Sequence, residues 1–146
     1  MNEANRVGIA IVGHGSTASS LLAAARGIVP AGALDGVLAI DAGLGETPTF
    51  TEALCGAIAK VDRGRGVVVL VDLLGASPCQ CARREGAGHS MVVVSGLTIA
   101  MLLKLIGLDR ATLTPRQIAE ACAEAARRAV GVDLPLCAEP APHGEP

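Results

Sequence analysis

A histidine between two glycines, His14 in "VGIAIVGHGSTASS" (residues 7–20), is the first residue in the chain whose type and setting could do chemistry. It follows an apolar run and precedes a stretch rich in small helix-forming residues. Asp41 and Asp72 also stand directly after apolar runs. In open parallel sheets, ligands gather at the carboxyl ends of the strands. If the first and third strands are neighbours, His14 and Asp72 face each other. The carboxylate can then hold one ring nitrogen as a donor, which leaves the other unprotonated and nucleophilic. Such a nitrogen can accept an electrophile such as a phosphoryl group. The turn Gly15-Ser16-Thr17, at the start of a helix, offers backbone N–H groups to the anionic oxygens, and Gly75-Ala76-Ser77 leads into another helix start that could offer more. Asp41 is a possible accessory residue. The structural alternatives are a non-functional histidine, an Asp72 that caps a turn, and a Ser77 that caps a helix.

Other chemistries fit less well. There is no GxxxxGK[ST] phosphate loop, and "DAGLGE" lacks the third glycine of a dinucleotide fingerprint. No serine sits in a G-x-S-x-G elbow. Cys79-Gln80-Cys81 has one residue between its thiols, too few for the usual zinc spacing, so no metal and no cofactor is expected. The other cysteines form no disulfide framework, and Cys55 and Cys122 read as small core residues within apolar helices.

The elements that must position these residues are legible. Apolar runs at 7–12, 36–41, 67–72 and 90–95 lack strict alternation, the pattern of strands buried on both faces. Helical patterns separate them: 16–28 with Ser16 as cap, 47–61 opened by Pro48, one starting at Ser77-Pro78, and 97–106 ended by Gly107. Thr114-Pro115-Arg116-Gln117 has capping-box spacing and starts a last helix that stops at Gly131. The expected fold is α/β, a mostly parallel sheet of four strands with helices on both faces. Residues 132–137 could add a fifth strand, which Pro135 restricts to an edge. Residues 1–137 read as one domain and 138–146 as a flexible tail or linker stub.

Composition agrees. The chain has 146 residues, 51% hydrophobic and 18% charged, with a single aromatic residue, Phe50. A net charge of -2 without a basic stripe argues against nucleic acid. "MVVVSGLTIAMLLKLIGL" is interrupted by Ser95-Gly96 and contains Lys104, so a strand and a helix explain it better than a membrane span. The N-terminus has no signal-peptide character, and the cytoplasm is the expected compartment.

Three ordered blocks, "IAIVGHGSTASSLLAAA", "VVVLVDLLGASPCQCA" and "VVVSGLTIAMLLKL", resemble the enzyme IIA domain of the mannose/fructose/sorbose branch of the bacterial sugar phosphotransferase system. The resemblance runs from about Val7 to Lys104. It implies that His14 takes a phosphoryl group from the phosphocarrier HPr and passes it to an enzyme IIB domain. It further implies that Asp72 orients His14, that Ser77 lies near the phosphoryl pocket, and that the protein is a homodimer in which a last antiparallel strand can be exchanged. Leu74, Ala76, Gln80, Thr98 and Ala100 depart from the family pattern without removing the histidine or the aspartate. "HGSTASS" also resembles the equivalent domain of certain phosphotransferase-controlled transcription activators. That leaves a second reading, a regulatory or sensory domain phosphorylated as a signal or acting through protein contacts alone.

Overall fold

The computed structural model describes residues 3–43, 48–73 and 90–132. After a short 3-10 turn at Glu3–Asn5, the order is β1 (Gly8–Gly13), α1 (Thr17–Ile28), β2 (Leu38–Asp41), α2 (Pro48–Val61), β3 (Val67–Val71), β4 (Met91–Ser95), α3 (Ile99–Ile106) and α4 (Pro115–Ala129). The four strands are parallel and lie in the order β2-β1-β3-β4. The expected helix at Ser77-Pro78 and the expected fifth strand lie outside the described residues, as does the tail.

Side chains alternate across a strand, so each strand feeds two cores. The register pairs Ile9 with Val68 and Ile11 with Leu70. These residues pack with Ala18 and Leu22 of α1, Met101 and Leu102 of α3, and Ile118 and Cys122 of α4. The intervening residues Ala10, Val12, Val67, Val69 and Val71 face the other way, against Leu54, Cys55 and Ile58 of α2. Fully burying one such Leu, Ile or Val contributes about 1.5–3 kcal/mol. β1 and β3 are buried throughout, whereas β2 and β4, at the two edges, are only half-buried. The near-continuous apolar runs mark all four as strands, but their burial depends on the sheet order. Cys55 and Cys122 are both buried. Cys122 is a free thiol whose pKa burial pushes up to about 11. The Cys55 sulfur is disulfide-bonded, whereas the sequence reads it as a small core residue outside any disulfide framework.

Element ends differ from expectation where local bonds decide them. β2 starts at Leu38 because residues 31–36 form turns, with Gly36 at φ 78°. The helix expected from residue 97 starts at Ile99, where the Thr98 hydroxyl accepts from the Met101 N–H. At α4 the capping box is complete: the Thr114 hydroxyl accepts from the Gln117 N–H, and the Gln117 side chain accepts from the Thr114 N–H. Thr114→Ala is expected to lower unfolding free energy by about 1 kcal/mol in urea titration. Among the described residues, no helix is long and apolar enough to cross a membrane.

Candidate functional site

Strand order creates the site. β1 lies between β2 and β3, and the chain direction of travel across the sheet reverses between β1 and β3. α1 lies on one face and α2 on the other, so a crevice opens at the carboxyl end of β1 and β3. The register sets Gly13 against Asp41 and Val12 against Val71, which brings His14 between the exits of β2 and β3.

Asp72 meets His14 twice. The His14 backbone N–H donates to Oδ2 at 2.8 Å, and ring Nδ1 lies 3.0 and 3.1 Å from the two carboxylate oxygens. The Leu73 N–H donates to Oδ1 at 2.7 Å. Burial pushes the Asp72 carboxyl up, but the hydrogen bonds from the His14 backbone and ring and from Leu73, with the His14 charge, outweigh it, and the net pKa lies below the ordinary 3.8. An ionised carboxylate only accepts, so in the neutral form of the ring Nδ1 carries the proton and Nε2 the lone pair. The His14 side chain is 59% exposed and that of Asp72 only 21%. The imidazole is therefore mostly open to solvent, while the carboxylate on its Nδ1 is half-buried.

A lowered carboxylate pKa has a defined sign in folding. The stabilisation is fully present above the unfolded value, near 3.8, and is lost as pH falls through the lower folded value. The difference in unfolding free energy between wild type and Asp72→Ala is expected to shrink as pH drops below about 4, measured by urea titration at a series of acidic pH values.

The turn after His14 is held by its own backbone. Gly13 allows the close approach of α1: a Cβ there would lie 2.9 Å from the Thr17 Cβ and 3.0 Å from the Ala18 nitrogen. Gly15 adopts φ 56°, a left-handed conformation that favours glycine. The Gly15 N–H donates to the Gly43 carbonyl at 2.8 Å, and the Thr17 N–H to the His14 carbonyl at 3.0 Å. Of the three N–H groups expected to face an anion, those of Gly15 and Thr17 thus have internal acceptors, and among the described residues the Ser16 N–H has none. Ser16 occupies the N-cap position of α1, as expected, but its side chain makes no capping hydrogen bond.

Asp41, at the end of β2, reaches α1 rather than His14. It accepts from the Ser19 N–H at 3.0 Å and from the Ser19 hydroxyl at 2.5 Å. These bonds, the hydroxyl first, hold its carboxyl below the usual range. Sequence reasoning missed the Ser19 link. Its signal was a serine at the third position of a helix lying beside a strand that ends in aspartate. Gly75, Ala76 and Ser77 lie outside the described residues, as do Leu44, Leu74, Cys79, Cys81, His89 and His143. Leu73 is 68% exposed beside Asp72, whereas Leu97 is half-buried against the α1/α3/α4 core.

Residues 8–123 match the family described as the fructose IIA component of the phosphotransferase system. The chain belongs to this enzyme IIA family. The mannose/sorbose-specific IIA subunit from Enterococcus faecalis is similar in structure, with a TM-score of 0.67 and 25% identity over 91% of this chain and 99% of that one. The IIA protein associated with the fucose utilization operon of Streptococcus pneumoniae is also similar, with a TM-score of 0.64 and 27% identity over 82% of this chain and 90% of that one. In sequence, the chain is 31% identical over 108 residues to the transcriptional regulatory protein LevR of Bacillus subtilis (strain 168). That match takes in 73% of this chain but 11% of LevR. Membership of the enzyme IIA family supports a phosphotransfer role of the IIA type.

Proposed function

We propose that this chain is a histidine phosphoryl carrier of the phosphoenolpyruvate-dependent sugar phosphotransferase system. It accepts a phosphoryl group from HPr on His14 and passes it to an enzyme IIB domain in the cytoplasm. The observation that carries this reading is the Asp72 carboxylate on Nδ1 of an exposed imidazole. In the forward step the Nε2 lone pair attacks phosphorus. The bond between phosphorus and the donor's nitrogen breaks, and the donor keeps that electron pair. The positive charge that develops on the His14 ring is stabilised by Asp72. No proton has to leave Nε2. Transfer to IIB runs the same exchange in the other direction, and neither step calls for a metal or an organic cofactor.

The Ser16 N–H receives one phosphoryl oxygen in this proposal, with the Thr17 hydroxyl beside it. The proposal extends to Gly75, Ala76 and Ser77 at the exit of β3. Exposed Leu73 supplies apolar contact to a visiting protein. A homodimer is part of the reading. It is supported by a groove of about 420 Å³ between β4 and α4, with Val92, Val93, Val94, Ala119 and Ala123 along it beside the polar and charged Ser95, Arg116, Glu120 and Arg127. Among the described residues no strand pairs with the outer edge of β4, and open edges invite pairing.

The likeness to LevR favours a second reading, in which the phosphoryl group on His14 is a signal rather than cargo. Incubation with phosphoenolpyruvate, enzyme I and HPr is expected to give an acid-labile, alkali-stable phosphate on this chain. Adding a cognate IIB separates the readings. Discharge to IIB supports the carrier, and a phosphate that stays supports the signal. No phosphate in the first incubation overturns both.

A further inference from the structure

We propose that Asp41 is a positioning residue for phosphoryl transfer at His14, acting through the start of α1; this rests on the carrier reading above. The first N–H groups of a helix have no partner within it and are usually met by the N-cap side chain. In α1 the N-cap residue, Ser16, does not do this. Asp41, a neighbouring strand's last residue, takes over. It binds both the N–H and the hydroxyl of Ser19, which stands 22 positions before it in the chain.

The backbone around Asp41 completes the attachment. The Ala42 N–H donates to the Gly13 carbonyl at 2.8 Å, just before His14. The Gly43 carbonyl accepts the Gly15 N–H, just after it. The His14 turn is therefore held between two strand exits. β3 holds the imidazole through Asp72, and β2 holds the peptide on both sides of His14 and the helix that follows. Among the described residues, the Asp41 carboxylate is the only side chain in the β2 half of this clamp. Because it binds within the first turn of α1, it fixes the helix start while, among the described residues, the Ser16 N–H keeps no acceptor. A serine cap at Ser16 would instead turn its hydroxyl inward onto the helix.

Near-attack geometry is sensitive to displacements of about 1 Å, which can cost about 100-fold in rate. Asp41→Ala is expected to slow phosphorylation of His14 by phospho-HPr about tenfold or more, in the maximal rate rather than in the donor concentration for half-maximal rate. Asp41→Asn keeps an oxygen for the Ser19 N–H and places an amide beside the Ser19 hydroxyl, which can rotate to accept. It is expected to recover to within about threefold of wild type. Both are assayed in the full chain, well below its melting temperature. A second readout needs no phosphate: amide hydrogen exchange at Gly15 is expected to speed up in Asp41→Ala and return in Asp41→Asn. Wild-type transfer by Asp41→Ala overturns the inference, and so does unchanged exchange at Gly15. A loss that Asp41→Asn shares in full overturns it too. A wild-type chain that takes no phosphate overturns the carrier reading instead, while Gly15 exchange still reports whether Asp41 holds the turn.

Discussion

His14→Ala is expected to remove phosphate uptake from phospho-HPr, with a loss of about 10⁴-fold or more. In the proposed carrier, deleting His14 leaves no group that can form the phosphoryl intermediate. The neighbours at the carboxyl end of β1 are Ser16, Thr17 and Ser19, whose hydroxyls are poor nucleophiles at neutral pH, and the Asp41 carboxylate that meets Ser19 is held below its usual pKa and is a weak base. Fold should survive, because the His14 side chain is 59% exposed and packs into neither core. The measurement is transfer of labelled phosphate from phosphoenolpyruvate through enzyme I and HPr, with His89→Ala as the matched control. The attached phosphorus should sit on Nε2, seen by its coupling to that nitrogen in NMR, because Nδ1 is bound to Asp72. Undiminished labelling of His14→Ala, or phosphorus found on Nδ1, would sink the assignment.

The second large effect is expected at Asp72. Asp72→Asn changes few atoms but replaces one of two acceptor oxygens with a donor. In the wild type those oxygens meet three donors: the His14 N–H, the His14 ring and the Leu73 N–H. An asparagine must turn its amide towards at least one of them. If the amide faces the ring, Nδ1 becomes an acceptor and the proton moves to Nε2, which silences the nucleophile. If it faces the backbone, an N–H loses its partner, at a cost of about 1–3 kcal/mol. Transfer is expected to fall about 100-fold or more, by analogy with carboxylates that orient histidines elsewhere. Nitrogen NMR of the His14 ring should show the tautomer shift. Transfer within threefold of wild type, with the ring tautomer unchanged, would mean that Asp72 is only a turn residue.

Both expectations depend on elements that could be read from the chain by eye. Four apolar runs rich in valine and isoleucine, alternating with helical segments, point to a parallel α/β sheet because crossover helices then cover both of its faces. The Thr114-to-Gln117 capping box was readable for the same reason: its bonds span three residues and depend on nothing remote. His14 and Asp72 drew attention as polar residues at the tips of apolar strands. Their chemistry followed from residue type, and their adjacency was a condition that local pattern could not supply.

Less legible were the features made by partners far apart in sequence. Ser16 looked like a helix cap because cap propensity is local, yet the acceptor for α1 comes from Asp41 across the sheet. The N–H groups of Gly15 and Thr17 looked available to an anion, and carbonyls at Gly43 and His14 accept them. β2 and β4 read as doubly buried strands, and their place at the sheet edges leaves them half-exposed.

The amino-acid order alone determined the kinds of elements, their succession and the residue types at each strand tip, since periodicity, caps and turn residues act over a few positions. Tertiary structure alone decided that β1 lies between β2 and β3. That placement brings Asp72, 58 positions away, onto Nδ1 of His14 and sets Asp41 behind the helix that follows. Strand order depends on how crossover helices pack over a twisted sheet, a property of the whole chain that no single stretch of it encodes.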